Sequence, residues 1–248
     1  TLAEVAAEKA GILKPGVPVV VGPMDAAAFE TIAGIARRVG APIIDAAAGV
    51  TVDAIARRDA WSPTRIRLRT PARDYGEVAI ALRGRHQIDN AIVAVRTLEA
   101  IDAAGVPAPA AAVVSGLATV SWPGRLDVRT RPDGREILLD AAHNPDGATA
   151  LARFLREAGA TGRPLVFAAM ADKDTRGMLQ ALANTIGLLV LTRASNRRSA
   201  DPAALAELAR EIAPELAIIV RPDPREAVDA AWAAARAIVV AGAIFLLG

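Results

Sequence analysis

Cysteine is absent from this chain of 248 residues. That excludes disulfide bonds and thiol catalysis and fits a reducing, cytoplasmic setting. Aromatic residues are only 3% of a chain that is 53% hydrophobic. Alanine and valine dominate instead, which suits helices packed on a buried sheet. No apolar run reaches about 18 residues free of charge, so no membrane span is expected. Nothing at the start has the form of a secretory signal. The charge is nearly balanced, 29 basic against 27 acidic groups, and no basic run is interleaved with aromatics. Nucleic-acid binding therefore has no support. The phosphate loop G-x-x-x-x-G-K-[ST] does not occur, nor do G-x-G-x-x-G, H-E-x-x-H or G-x-S-x-G. The chain carries just two histidines, His86 and His143, and three lysines, Lys9, Lys14 and Lys173. Both residue types are scarce enough for each position to merit a reason.

What is present reads as α/β. Helical patterns at Leu2 to Ala10 and Ala26 to Val39 flank a strand at Val17 to Val21, which has so little polar content that both faces should be buried. A further strand follows at Ala41 to Ile44. The segment from Ala54 to Pro63 has no clear period. Strands at Arg65 to Arg69 and Val78 to Leu82 alternate in the manner of an antiparallel pair. Gln87 to Ala103 is a helix with an apolar stripe at Ile88, Ala91, Ile92, Val95 and Leu98, and Ala108 to Leu117 is another. Ser121-Trp122-Pro123-Gly124 marks the boundary between two domains, 1–121 and 122–248. Beyond it strands at 136–139, 164–168, 187–192, 216–220 and 238–246 alternate with helices at 148–157, 176–183, 202–212 and 224–235. Such a series makes a parallel sheet covered by helices. Thr1 opens inside a helical pattern and Gly248 directly follows a strand, so the sequence reads as a portion of a longer one.

The most informative stretch is Ile137 to Ala148, where an apolar strand runs into Asp140, His143 and the turn Asn144-Pro145-Asp146-Gly147. Ligands of open α/β sheets bind where strands end and helices begin, although Asp and Asn-Pro are also ordinary turn and cap residues. His86, Gln87 and Asn90 fall on one face at a helix start, away from the apolar stripe, where amides can meet a base or sugar or merely cap. Arg125, held by a Pro-Gly turn at the domain boundary, can clamp phosphate oxygens or be a surface residue. Leu2, Val5, Ala6 and Lys9 follow helical spacing. A lysine on such a buried stripe has a depressed pKa, and its neutral amine can take up carbon dioxide to give a carbamate that binds a metal. The plainer alternative is a lysine reaching to water near a helix end. Lys173, between Asp172 and Asp174 after another strand, can hold a substrate carboxylate or be solvated.

In this order the segments resemble the folylpolyglutamate synthase/dihydrofolate synthase family of the Mur ligase superfamily. The matching stretches are residues 7–20, His86-Gln87 with Asn90-Ala91, Trp122-Pro123-Gly124-Arg125-Leu126, Leu139 to Pro145, Met170 with Asp172-Lys173-Asp174, and Val240-Ala241-Gly242. His143-Asn144-Pro145 stands where some cell-wall Mur ligases carry an amide-rich form, which favours the folate branch. Ala141 and Ala243 depart from a glycine and a serine frequent in the family.

The resemblance implies the C-terminal part of a central ATPase domain followed by a Rossmann-like C-terminal glutamate ligase domain, with the phosphate loop upstream of Thr1. It implies an ATP-dependent carboxylate–amine ligase of folate metabolism that uses magnesium. ATP activates a folate or dihydropteroate carboxylate as an acyl phosphate, and L-glutamate then attacks it. Carried over by position, Lys9 is the carbamylated lysine near the metal, Asn90, Arg125 and Asp140 contact ATP, and His143 and Lys173 serve the glutamate, His143 also taking part in catalysis. The intact protein is expected to be a monomer and the chain alone inactive. A Mur-type ligase acting on another acid, or a non-catalytic nucleotide-binding module, remain as alternatives.

Overall fold

The computed structural model describes residues 1–55 and 59–246. These form two compact units, one of residues 1–55, 63–81 and 85–120, the other of residues 59–62, 82–84 and 121–246.

In the first unit a helix, α1 (Leu2–Lys9), leads to β1 (Val19–Val21), α2 (Ala26–Val39) and β2 (Ile43–Asp45). The two strands pair in parallel. Asp25 starts α2 by accepting from the Ala27 amide, and Gly40 ends it in the left-handed conformation at φ 76°, the usual start and stop of a helix. Strands β3 (Thr51–Ile55), β4 (Thr64–Arg69) and β5 (Asp74–Ile80) form an antiparallel sheet. Along β4, Thr64, Ile66 and Leu68 are buried and Arg65, Arg67 and Arg69 exposed, the period-2 signature of a half-covered strand. Its inner face packs with helices α3 (His86–Ala103) and α4 (Ala110–Thr119) around Ile66, Leu68, Val78, Val95 and Val113. A buried carboxylate sits in this unit. Glu99 accepts from Thr70 Oγ1 at 2.5 Å, Tyr75 OH at 3.1 Å and Arg96 Nη1 at 2.6 Å. Burial, then the nearby Glu99 charge, pushes the Tyr75 phenol up to about 12.

The second unit is built on a six-stranded sheet, in the order β6 (Asp127–Thr130), β7 (Glu136–Asp140), β11 (Ala237–Gly242), β8 (Arg163–Ala168), β9 (Ile186–Leu191) and β10 (Ala217–Val220). All pairs are parallel except β6 with β7. The chain thus leaves a slot between β7 and β8 that its last strand fills. Helices α5 (Pro145–Glu157), α6 (Thr175–Leu182), α7 (Pro202–Ile212) and α8 (Pro224–Ala234) supply the connections. Three of them begin alike, at Asn144-Pro145, Asp201-Pro202 and Asp223-Pro224. Proline is pre-set for the first helical turn and lacks only an N–H that the helix would leave unpaired there. The sheet is buried on both faces. Leu165 and Phe167 of β8 join Leu151, Phe154 and Leu155 on one side, and Val166 joins Ala227, Ala231 and Val240 on the other. Buried strands of this kind read as continuous apolar runs.

Several expectations need correction. In β1 only Val21 is buried, and Val17 lies outside the strand and 53% exposed, so that strand is not covered on both faces. The hairpin strand β6 makes the sheet mixed instead of wholly parallel. Within the unassigned stretch 54–63, residues 54–55 belong to β3, and 56–58 lie outside the described residues. The last strand stops at Gly242, because that residue takes φ 114°, and a 3-10 turn over Ile244–Leu246 follows. Among the described residues no helix is long and apolar enough to cross a membrane.

Gly242 and Gly159 separate two kinds of glycine requirement. A Cβ on Gly242 would lie 2.0 Å from the Ala168 carbonyl oxygen, whereas one on Gly159, also at positive φ (61°), meets nothing within 4 Å. Gly159→Ala should therefore cost only the left-handed penalty of roughly 1 kcal/mol. Gly242→Ala adds a backbone clash and should cost roughly 3 kcal/mol or more. Urea unfolding of both variants checks this, and equal losses would contradict it.

Candidate functional site

The site is built at the carboxyl end of β7. Asp140 closes that strand, in register with Ala241 of β11, while the next residue of β11, Gly242, pairs with Ala168 of β8. The ends of three parallel strands therefore stand at one level. After Asp140 the chain turns through Ala141 and Ala142, both buried, to His143. Asn144 then caps α5 by accepting from the Gly147 amide at 2.8 Å, so the proposed turn residue does serve as a helix cap.

The Trp122-Pro123-Gly124-Arg125-Leu126 segment folds onto this strand end. Ala141 N–H donates to the Gly124 carbonyl at 2.7 Å, and Arg125 N–H to that of Trp122 at 3.2 Å. Leu126 N–H donates to Asp140 Oδ2 at 2.9 Å. Leu126 has φ 46°, the only non-glycine at positive φ among the described residues, and its side chain is 1% exposed. A buried leucine in that conformation is an outlier that needs its surroundings to hold it. Here the hydrogen bonds on either side of it and the packed side chain do so. The result is that the Arg125 side chain is presented to solvent beside a buried carboxylate.

Asp140 is 7% exposed. Burial pushes its carboxyl up to about 6, while the Leu126 amide and the charges of Arg125 and His143 pull it down. Arg125 and His143 are thus both brought within electrostatic reach of Asp140, although Arg125 lies fifteen positions before it along the chain. His143 Nδ1 lies 2.9 Å from the Ala141 carbonyl oxygen. A carbonyl can only accept, so Nδ1 carries a proton, and in the tautomer that carries no other the lone pair is on Nε2.

The other candidates lie on other elements. Lys173, in the loop after β8, is exposed and 3.3 Å from Asp172, and Asp174 caps α6 through the Gly177 amide. Asn90, in the first unit, is exposed and donates through Nδ2 to Gln87 Oε1 at 3.0 Å, while Gln87 Nε2 lies 3.0 Å from His86 Nε2. Gln87 does not share a solvated face. It is buried on the same stripe as Ala91, Val95 and Glu99, because residues four apart line up on a helix. The premise for Lys9 is also corrected. Ala6 and Ala10 are the buried positions of that segment, while Leu2, Val5 and Lys9 are exposed. Lys9 sits one residue short of the Ala6–Ala10 line, so it is not on the buried stripe, and a carbamate there rests on the resemblance alone. Among the described residues no group of three or more His, Asp or Glu side chains could hold a metal ion. The described residues therefore offer no such cluster to magnesium.

Missed by the sequence reading were the left-handed Leu126 and Arg83, whose guanidinium reaches the Leu126 carbonyl at 3.4 Å. No residue type signals either.

The Asp140 geometry has a pH consequence. An acid whose pKa is higher folded (about 6) than unfolded (near 3.8) keeps a proton in the folded state that the unfolded chain has released. Its stabilising effect is therefore full below about pH 4 and is lost as pH rises through about 6. Asp140→Asn mimics the protonated form, and its Oδ1 can still accept from Leu126. Unfolding free energies of the variant relative to the parent should rise by on the order of 3 kcal/mol between pH 4 and pH 7. A difference that stays flat with pH would contradict the burial argument.

Comparison with known proteins places the fold among others. The model of the Mur ligase glutamate ligase domain matches residues 124–244. The dihydrofolate synthase/folylpolyglutamate synthase of Bacillus subtilis is 31% identical over 188 residues, covering 73% of this chain and 42% of the relative. The Mycobacterium tuberculosis enzyme of the same name is 38% identical over 141 residues, 55% of this chain and 28% of the relative. The solved structure of Mycobacterium tuberculosis folylpolyglutamate synthase complexed with ADP and AMPPCP superposes with a TM-score of 0.85 at 28% identity, over 99% of this chain and 57% of that one. Folylpolyglutamate synthase from Thermotoga maritima gives 0.77 at 28% identity, over 100% and 56%. The chain spans about half the length of the relatives it matches. With the α/β architecture, the Asp140 strand end and these likenesses together, the chain belongs to the folylpolyglutamate synthase/dihydrofolate synthase family of the Mur ligase superfamily.

Proposed function

We propose that this chain supplies the C-terminal portion of an ATP-dependent ligase that joins L-glutamate to a folate or dihydropteroate carboxylate, and that Arg125 and Asp140 form its nucleotide side. The observation that carries the reading is the over-determined turn at 124–126. It presents an exposed guanidinium within electrostatic reach of a buried carboxylate at the carboxyl edge of a parallel sheet, where α/β proteins bind ligands. Its support from outside the chain is the nucleotide named with the Mycobacterium tuberculosis structure.

In the proposed reaction a carboxylate oxygen attacks the γ-phosphorus of ATP and the bond to ADP breaks. The glutamate amine then attacks the acyl carbon, phosphate leaves, and the amine loses a proton. Arg125 suits the first step, because a guanidinium stabilises phosphoryl charge at little cost of reorganisation. Asp140, ionised at neutral pH, can accept from a ribose hydroxyl. His143 Nε2 carries the lone pair that can accept from the glutamate ammonium, and Lys173 suits one of the glutamate carboxylates. Asn90 as a further nucleotide contact, and Lys9 as a carbamylated ligand near magnesium, rest on the resemblance. Magnesium in such ligases shields the phosphate charge that the carboxylate must approach.

Losing a charge-assisted contact should weaken nucleotide binding by about 1.5–3 kcal/mol. Calorimetric titration of the chain with ADP should show that loss in Arg125→Ala and in Asp140→Ala, with the far-UV spectrum unchanged. Undiminished affinity in both would remove the two residues from the site. Phosphate release in the presence of a folate acceptor and glutamate should stay at background for the chain alone, since it holds no phosphate loop to cradle the β- and γ-phosphates.

A further inference from the structure

Arg83 stands outside every role given so far. It lies just beyond β5, in the short segment 82–84 that belongs to the second unit. Its guanidinium is half-buried and spans two carbonyls. Nε donates to Trp61 O at 3.0 Å and Nη1 to Leu126 O at 3.4 Å. The Trp61 end of this brace is fixed. The indole packs edge-on against Phe154, with ring centroids 5.2 Å apart, and carries the Arg163 guanidinium over its ring, 5.1 Å from the centroid. The Leu126 end is the left-handed residue whose amide is held by Asp140.

From these contacts we infer that Arg83 is a positioning residue for nucleotide binding: it ties the Leu126 carbonyl to the anchored Trp61 segment, and so fixes the backbone that aims the Arg125 side chain. This rests on the reading of Arg125 as a nucleotide contact. The physical case is one of constraint. A leucine at φ 46° relaxes to negative φ unless both of its peptide groups are held. Asp140 holds the peptide before it, and Arg83 holds the peptide after it. Relaxation of Leu126 rotates the Arg125–Leu126 peptide and carries the Arg125 Cα with it. Lysine cannot replace Arg83, because a single ammonium does not offer two donors in the fixed fork that reaches both carbonyls.

Two measurements on the 248-residue chain decide it. The first is amide hydrogen exchange at Leu126 in Arg83→Ala and in Arg83→Lys, the second variant keeping the aliphatic stem if the first fails to fold. Exchange should quicken about tenfold or more at Leu126 while the amides of β8 and β9 keep their protection. Unchanged exchange at Leu126 in a folded variant overturns the proposal. The second is a double-mutant cycle read by ADP titration. Arg83→Ala should weaken ADP binding about tenfold when Arg125 is present and less than about twofold in the Arg125→Ala background, because positioning acts through Arg125. A loss that is the same in both backgrounds means Arg83 acts elsewhere, and overturns the proposal while leaving Arg125 as a contact. An Arg125→Ala variant that binds ADP as the parent does overturns the nucleotide reading itself, and the exchange result then decides the brace alone.

Discussion

The hydrogen bond from Leu126 N–H to Asp140 Oδ2 organises the candidate site. A carboxylate at the end of a buried strand is costly, and this one is compensated from three directions: a backbone amide, the Arg125 charge and the His143 ring. The same bond restrains Leu126 in a conformation that leucine avoids. Two unfavourable features, a desolvated acid and a left-handed leucine, thus stabilise each other. Their joint product is an arginine displayed at a defined place. Strain held in this way is common where a protein must keep a functional group aimed before its ligand arrives.

The rest of the second unit sets the level at which this happens. Because β11 enters the slot between β7 and β8, the three strands end within one residue of the same level, at Asp140, Gly242 and Ala168. Gly242 lets the backbone turn off the sheet past the Ala168 carbonyl, an approach that leaves no room for a Cβ. Cores on both faces of the sheet, with Phe154 and Phe167 on one side and Val166 and Val240 on the other, give the strand ends a rigid footing. The first unit is held differently. Its buried Glu99 gathers donors from Thr70, Tyr75 and Arg96, so a polar network joins its hairpin to α3 where the second unit relies on apolar packing. A fully donated carboxylate of this sort fixes register at the cost of desolvation.

Elements with strong local signals were legible in the sequence. Helix α2 covers the expected span Ala26–Val39, between its Asp25 cap and Gly40, and α7 runs over the expected span behind Asp201-Pro202. The five apolar runs after residue 135 became parallel strands, and those of β8, β9 and β11 are continuous because burial on both faces demands it. What escaped lacks such a signal. Strand β6, Asp-Val-Arg-Thr, is a half-exposed edge with a single apolar residue. Strand β3 alternates too weakly to register, with Val52 and Ile55 as its half-covered positions. In the site, Asp140, Arg125 and His143 could be named from their places at a strand end and a turn. The left-handed Leu126 could not, since nothing distinguishes that leucine from any other until tertiary bonds hold it. The burial expected of the Lys9 stripe failed for the opposite reason. The helical spacing of Lys9 from Leu2 and Val5 is real, but in this structure the small residues Ala6 and Ala10 make the buried line, and spacing alone does not say which stripe of a short helix is covered.

The account depends on the carboxyl edge of the second unit being where a nucleotide sits. Amide chemical-shift mapping of the chain during addition of ADP tests this without requiring turnover. The account predicts that the largest shifts fall at Gly124, Arg125, Leu126 and the residues from Asp140 to His143, and that they saturate with one affinity. Shifts scattered over the surface, or confined to residues away from the ends of β7, β8 and β11, would contradict it.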